Sequence, residues 1–373
     1  MFAGHAGGRE SWNHPEPVRS CQKEEHMPNR PATRSTPRHI SIVAVANNTA
    51  STLFGIYDVL TYVERQGLSS SGSAAFHVEI VGEALGPLAL ASGVTVDVQR
   101  AIDTIEASDI LIVPSVYFGA EGWKIGRYPR VIEWIGRMHE RGATLCSACQ
   151  GLFLLAETGL FDGRDSTVHY NAADIFAATY PAIPIHPERP LMISGAREEL
   201  LSSGASVAWH DLALHLVARY AGSAAAQDVA NAFALQWHHE GFSPYVVFSG
   251  KSDHGDAEIG SAQKWLSGHF SLANPVEEMV KRSKLAERTF KRRFVSATGL
   301  APIAYVQRLR IENAKERLER SDAAVDEISW RVGYEDPAFF RRLFKRTTGL
   351  APAAYRKRFR IPDFAQPRKR RYG

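Results

Sequence analysis

Cys149 is the residue of this chain best placed for covalent chemistry. The run LCSACQGLFLLAETGLFDG reads as a strand, a sharp turn and a helix, with Cys149 at the turn. A thiol there is expected to be exposed and close to helix N-terminal amides, which lower its pKa. His169, in DSTVHY, is the base or hydrogen-bond partner within reach of such a fold; its bland alternative is a packed, hydrogen-bonded core histidine. Cys146 lies on the strand and reads as a buried core thiol. His238-His239-Glu240 offers metal-ligating types, but adjacent histidines on a helix point apart and no partner motif has ligand spacing. No metal and no cofactor are expected.

A second chemistry is contact with a polyanion. The segment Arg288–Arg310, RTFKRRFVSATGLAPIAYVQRLR, recurs 50 positions later as Ala338–Arg360, AFFRRLFKRTTGLAPAAYRKRFR. Each copy holds a basic helix with apolar residues at helical spacing, stopped by Gly and then Pro. In the second copy Phe340, Leu343 and Phe344 form the apolar face, Asp336 is positioned to cap the helix and Pro337 fits its first turn. The first copy has Ala286 where a cap is expected. Short helices precede both, near Val276–Arg282 and Asp326–Val332, so each copy reads as helix, turn, cationic helix. A long helix over Pro302–Arg320 joins them, with Tyr305, Leu309, Ala314 and Leu318 inward.

Charge agrees with this division. Of the 373 residues, those from Val276 onward carry 25 Lys+Arg against 12 Asp+Glu, leaving 19 against 28 in the rest. A basic C-terminal module on an acidic body fits nucleic-acid binding at one end. No apolar run reaches the roughly 18 residues that a membrane span needs. The N-terminus has no apolar signal core, and three cysteines are too few for a disulfide framework, so a reducing cytoplasm is expected.

The elements that must position these groups follow from periodicity. Residues 1–38 are rich in Pro, Gly, Arg and Ser and read as a disordered tail, in which Met27 is an alternative start. From His39 the runs HISIVAVA, FHVEIVGEA, Thr95–Val98, DILIVPS, ATLCSA and LMISGA read as strands. Helical stretches fall at Ser51–Arg65, Tyr128–Arg141 and Trp209–Tyr220. Strands alternating with helices predict an α/β domain over 39–247, with a mostly parallel sheet between helices. Residues 248–261 read as a linker, 262–360 as an all-α domain of two helix-turn-helix units and 361–373 as a basic tail.

The stretch Val276–Phe359, and above all GYEDPAFFRRLFKRTTGLAPAAYRKRF, resembles the AraC/XylS family of bacterial transcription regulators. The resemblance implies two recognition helices entering successive major grooves of double-stranded DNA. Helical position then puts Arg288, Lys291 and Arg292 of the first unit, and Ala338, Arg341 and Arg342 of the second, toward DNA. Lys281, Lys284, Lys345 and Arg346 suit phosphate contacts. SACQGLFLLAETGLFDGRDSTVHY, with GASVAWHDLALHLVARY, resembles the PfpI and class I glutamine amidotransferase-like superfamily, a flavodoxin-like fold. Together the two resemble the GlxA type of regulator, over about His39–Phe359.

Catalytically active relatives of that superfamily carry an acidic residue in the first helix, where this chain has Thr52, with Asp58 further along. They tend to carry Gly-Gly after the strand ending at Pro114, where this chain has Ser115-Val116. Acid–base work and an oxyanion hole are both undermined. The resemblance therefore implies a non-catalytic domain in which Cys149, His169, Thr52 and Ser115 line a small-molecule effector pocket. The regulator is expected to be a cytoplasmic homodimer, an activator that works with RNA polymerase. The alternative is a cysteine hydrolase or amidase with a DNA-localising module.

Overall fold

The computed structural model describes residues 36–68, 75–119, 121–248, 250, 254–362 and 365. The tail over 1–38, Met27 included, and the basic tail over 361–373 therefore lie almost wholly outside the described residues. The α/β region contains β1 (Arg38–Val43), α1 (Ala50–Gln66), β2 (Phe76–Gly82), β3 (Gly86–Ala89), β4 (Thr95–Val98), β5 (Arg100–Ala101), β6 (Ile110–Val113), α2 (Pro129–Glu140), β7 (Thr144–Ala148), α3 (Leu152–Ala156), α4 (Ala173–Thr179), β8 (Leu191–Ser194), β9 (Leu200–Ser203), α5 (Trp209–Tyr220) and α6 (Ser223–Phe233).

Seven strands form one sheet in the order β5-β2-β1-β6-β7-β9-β8. All neighbours run parallel except β8, which pairs antiparallel with β9. Alternation along each strand feeds two cores, as a sheet buried on both faces requires. Ile110 and Ile112 of β6 face α1, α5 and α6, whereas Leu111 and Val113 face α2, α3 and Phe176 of α4. This is the expected flavodoxin-like sandwich, with two differences in detail. Thr95–Val98 does not join the sheet but pairs with β3 in a separate antiparallel hairpin. The sequence also gave no sign of β9, whose LLSS run inserts between β7 and β8.

The C-terminal region is helical throughout: α7 (Ala257–His269), α8 (Pro275–Ser283), α9 (Glu287–Thr298), α10 (Pro302–Arg320), α11 (Val325–Arg331), α12 (Pro337–Thr348) and α13 (Pro352–Phe359). Proline occupies the first turn of α8, α10, α12 and α13, where its missing N–H costs nothing. Helix α7 begins at Ala257, capped by Asp256, inside the stretch read as a linker. Helix α10 serves two cores. Its Tyr305 and Val306 join Ile259, Met279, Phe290 and Phe294, and its Ile311, Ala314 and Leu318 join Ile328, Phe340, Phe344 and Tyr355. The two helix-turn-helix units thus hang on one rigid rod.

Candidate effector pocket and candidate nucleic-acid interface

Cys149 sits on a strained corner directly after β7, with φ at +57°. A non-glycine residue in that region costs roughly 1–3 kcal/mol and is held there only by its surroundings. Gly151 supplies part of the restraint: a Cβ at this position would fall on the carbonyl oxygens of Val113 and Pro114 at the end of β6. The chain can turn this tightly only because residue 151 has no side chain.

The thiol itself departs from expectation. Cys149 is 3 % exposed, Ser115 4 % and Thr52 1 %, so the expected accessible sulfur is enclosed. Burial pushes the Cys149 pKa up, with the hydroxyls of Ser115 and Ser206 opposing it in part. The sulfur lies 3.8 Å from Ser206 Oγ. The expected lowering by helix amides is overturned, because loss of hydration outweighs a five-residue helix, α3, that begins three positions away. Cys146 is wholly buried, as read, and burial raises its pKa too.

His169 does not reach the sulfur through any hydrogen bond among the described residues. Its Nδ1 accepts from Asn171 N at 3.1 Å, capping a short turn, and its ring lies against Tyr170, centroids 4.4 Å apart. Burial lowers its pKa, favouring the neutral ring. Thr52 lies in α1 and Asp58 is exposed further along that helix. Two loops that frame the corner are tied beside Asn48: its Oδ1 accepts from Val45 N at 2.6 Å within its own loop, and the next residue, Thr49, donates its N–H across to Ser115 O at 2.8 Å. The structure therefore brings Cys149 and Ser115 together, and adds Ser206 and Tyr170, which the sequence reading missed. Tyr170 has its pKa raised by burial and, further, by Tyr245 and Cys149. Ser206 lies in GASVAWHD, a stretch already matched to the superfamily, which was the available signal.

Tyr245 belongs to an irregular strap between α6 and α7 that touches both regions. On the α/β side, His238 N and Nδ1 bond the two carboxylate oxygens of buried Asp211 at 3.0 and 2.6 Å. Phe242 N donates to Glu188 O at 2.8 Å, and Phe242 packs with Ala205, Ala208, Tyr170 and Tyr245. On the helical side, the Tyr245 ring meets Phe359 with centroids 4.9 Å apart, and the Arg358 guanidinium lies 5.4 Å over Tyr245. Arg358 also pairs with Glu240 at 3.1 Å. Lys315 Nζ donates to Val246 O at 2.6 Å, and Phe248 stands edge-on to Tyr305. His238 and Glu240 are thus engaged in these contacts. A cavity of about 390 Å³ opens between the strap and α10, lined among others by Tyr245, Glu312, Glu319, Tyr355 and Phe359.

The cationic faces of α9 and α12 are built as read. Phe290, Phe294, Phe340, Leu343 and Phe344 are buried, while Arg288, Lys291, Arg292, Ala338, Arg341 and Arg342 are all exposed. Their availability differs. Lys291 pairs with Glu287 in its own helix, and Arg341 pairs with Asp326 of α11. Among the described residues the side chains of Arg288, Arg292 and Arg342 have no hydrogen-bond or ion-pair partner, nor have those of Lys281, Lys284, Lys345 and Arg346, which are also exposed. Asp336 caps α12 by accepting from Ala338 N at 2.8 Å, and α9 starts at Ala286 with no side-chain cap.

Fold and sites together define a two-domain class: a DJ-1/PfpI-type sandwich with a cysteine at a strained strand-to-helix corner, joined to a pair of helix-turn-helix units of the AraC/XylS type. Comparison with known families agrees. Residues 53–183 match the DJ-1/PfpI family and residues 279–358 match a helix-turn-helix domain, the arrangement of the GlxA type. The chain is 26% identical over 260 residues to the HTH-type transcriptional regulator CdhR of Pseudomonas aeruginosa, covering 68% of this chain and 74% of that protein. It is 34% identical over 94 residues to the HTH-type transcriptional activator RhaS of Salmonella arizonae, covering 25% of this chain and 34% of that protein. An AraC family transcriptional regulator from Pseudomonas putida aligns structurally with a TM-score of 0.45 and 16% identity, over 53% of this chain and 100% of that one.

Proposed function

We propose that this chain is a sequence-specific DNA-binding transcription regulator controlled by a small metabolite held in its N-terminal domain. The observation that carries this reading is the pair of exposed cationic helices, α9 and α12, fixed to the single rod α10 and displaying Arg288, Arg292 and Arg342 without partners. Arginine reads guanine O6 and N7 bidentately, worth about 1–3 kcal/mol of discrimination per good pair. Lys281, Lys284, Lys345 and Arg346 position the module on phosphates. Activation through RNA polymerase, a homodimeric state and a cytoplasmic location complete the reading.

The effector binds beside Cys149, with Ser115, Thr52 and His169 around it and Tyr170 and Ser206 as further lining. Its signal leaves through Tyr170 and Tyr245, since the strap that carries Tyr245 also touches Arg358, Phe359 and Lys315 of the helical region. A nucleophilic hydrolase is disfavoured: the corner is present, but the thiol is held protonated and lacks a bonded base.

DNase footprinting on the promoter nearest its own gene tests the reading. The double variant Arg341→Ala with Arg342→Ala should lose the footprint, and wild-type binding should fall steeply with salt. Unchanged sequence-specific protection by the double variant overturns it.

A further inference from the structure

His39, His77 and Glu79 lie away from both sites described above. The strands β1 and β2 run parallel with His39 directly opposite His77, and Glu79 follows two residues on, which returns it to the same face. His39 Nε2 lies 2.6 Å from Glu79 Oε2, and His77 Nε2 lies 3.6 Å from Glu79 Oε1. One ligand atom from each of the three falls within 4.8 Å of the others. A tetrahedral zinc ion, with bonds of about 2.0–2.2 Å, needs its ligand atoms about 3.3 Å apart. The observed separations bracket that value, so side-chain rotations suffice to close the site.

The surroundings prepare both rings in the same way. His39 Nδ1 faces the Ala107 carbonyl oxygen at 3.4 Å, and His77 Nδ1 faces Glu64 Oε1 of α1 at 3.4 Å. An acceptor at Nδ1 holds the proton there and leaves the Nε2 lone pair for an ion, the usual outer arrangement of a histidine ligand. Arg100 Nη1 lies 3.2 Å from Glu79 Oε2, so this carboxylate can ligate through Oε1 while Arg100 keeps the other oxygen. The His77 side chain is 55% exposed and gives the ion an entry path.

We propose that His39, His77 and Glu79 form a divalent-cation site, with zinc as the best-matched ion and water in the fourth position. Cys149 follows the C-terminal end of β7, whereas His39 is near the N-terminal end of β1, so in a parallel sheet the ion sits at the end of the strands opposite the effector corner. It clamps β1 to β2 and, through Glu64, to the end of α1. The rival arrangement has no ion: His39 bridges Ala107 O and Glu79 through its two ring nitrogens.

The test is a zinc titration of the full-length, chelator-stripped chain against a chromophoric competitor at neutral pH. One equivalent should bind. His77→Ala, at an exposed position that the core does not need, should abolish it, as should Glu79→Gln. Glu64→Gln should keep the stoichiometry and weaken binding about tenfold. Cys149→Ser should leave the titration unchanged. No bound equivalent in the parent chain, or one that survives His77→Ala, overturns the site and leaves the ion-free arrangement.

Discussion

The first helix-turn-helix unit turns through Lys284, a non-glycine residue at φ +56°, and starts its exposed helix at Ala286 without a side-chain cap. The second turns through Gly333 at φ +93° and starts at Asp336, which caps the helix ahead of Pro337. On the exposed faces the order reverses. The first unit offers Arg288 and Arg292 without partners. The second has Ala338 and a half-exposed Phe339 at its start, and ties Arg341 to Asp326. The better-built unit thus has fewer cations at hand for DNA. The first relies on support from outside its turn, where Arg293 donates twice to Asp256 and holds the Asp256 carboxyl down at about 2. Two repeat copies that share 12 of 23 residues have divided stability and contact between them.

The largest expected effect tests what joins the units. Arg310 and Arg360 hold equivalent repeat positions. Arg310 is buried, donates to the carbonyl oxygens of Phe270, Leu272 and Gly333 at 2.7, 2.6 and 2.9 Å, and lies 4.9 Å over Tyr334. Arg360 pairs with Asp322 near the surface. Arg310→Ala should cost about 3 kcal/mol or more, because three backbone acceptors lose a buried, charged donor. Arg360→Ala should stay within about 0.5 kcal/mol. Urea melts of the full chain measure both, and equal losses would mean that the repeat positions are energetically alike after all.

Next come the turns. Gly333→Ala and Lys284→Ala both place alanine at positive φ. A Cβ at 333 would also stand 2.6 Å from Ser271 O, a backbone atom of the loop between α7 and α8. Gly333→Ala should cost about 2–3 kcal/mol and Lys284→Ala under about 0.5 kcal/mol, because Lys284 has already accepted the strain of a side chain there. A harmless Gly333→Ala would remove the claim that the second turn is built against the loop between α7 and α8.

The smallest effect sharpens the division of labour. Ala286→Asp supplies the missing cap and should stabilise the chain by about 1 kcal/mol. The same carboxylate stands at the start of the helix that carries Arg288, Lys291 and Arg292 toward DNA, so DNA affinity measured by fluorescence anisotropy should fall. If stability and affinity rise together, capping and contact are independent in this unit.

How much of this was legible varies with the range of the interactions. The helix-turn-helix pair could be read from sequence because its determinants are local: Phe340, Leu343 and Phe344 at helical spacing, the Asp336-Pro337 start, and the Gly349 stop. The strand-to-helix corner at Cys149 was equally legible, as was the parallel sandwich. The distribution of charge between the two ends needed only counting. Tertiary structure decided the rest. It brought Ser206, 57 residues away, and Tyr170 to the Cys149 sulfur, and it buried that sulfur so that desolvation raised a pKa that local geometry alone would lower. It inserted β9 into the sheet, closed Asp211 on His238, and turned Arg310 inward while its repeat partner Arg360 faced an aspartate. Periodicity reports which face of an element is apolar. It carries no information about which distant segment covers that face, and the cost of burying a charge or a thiol is set by that cover.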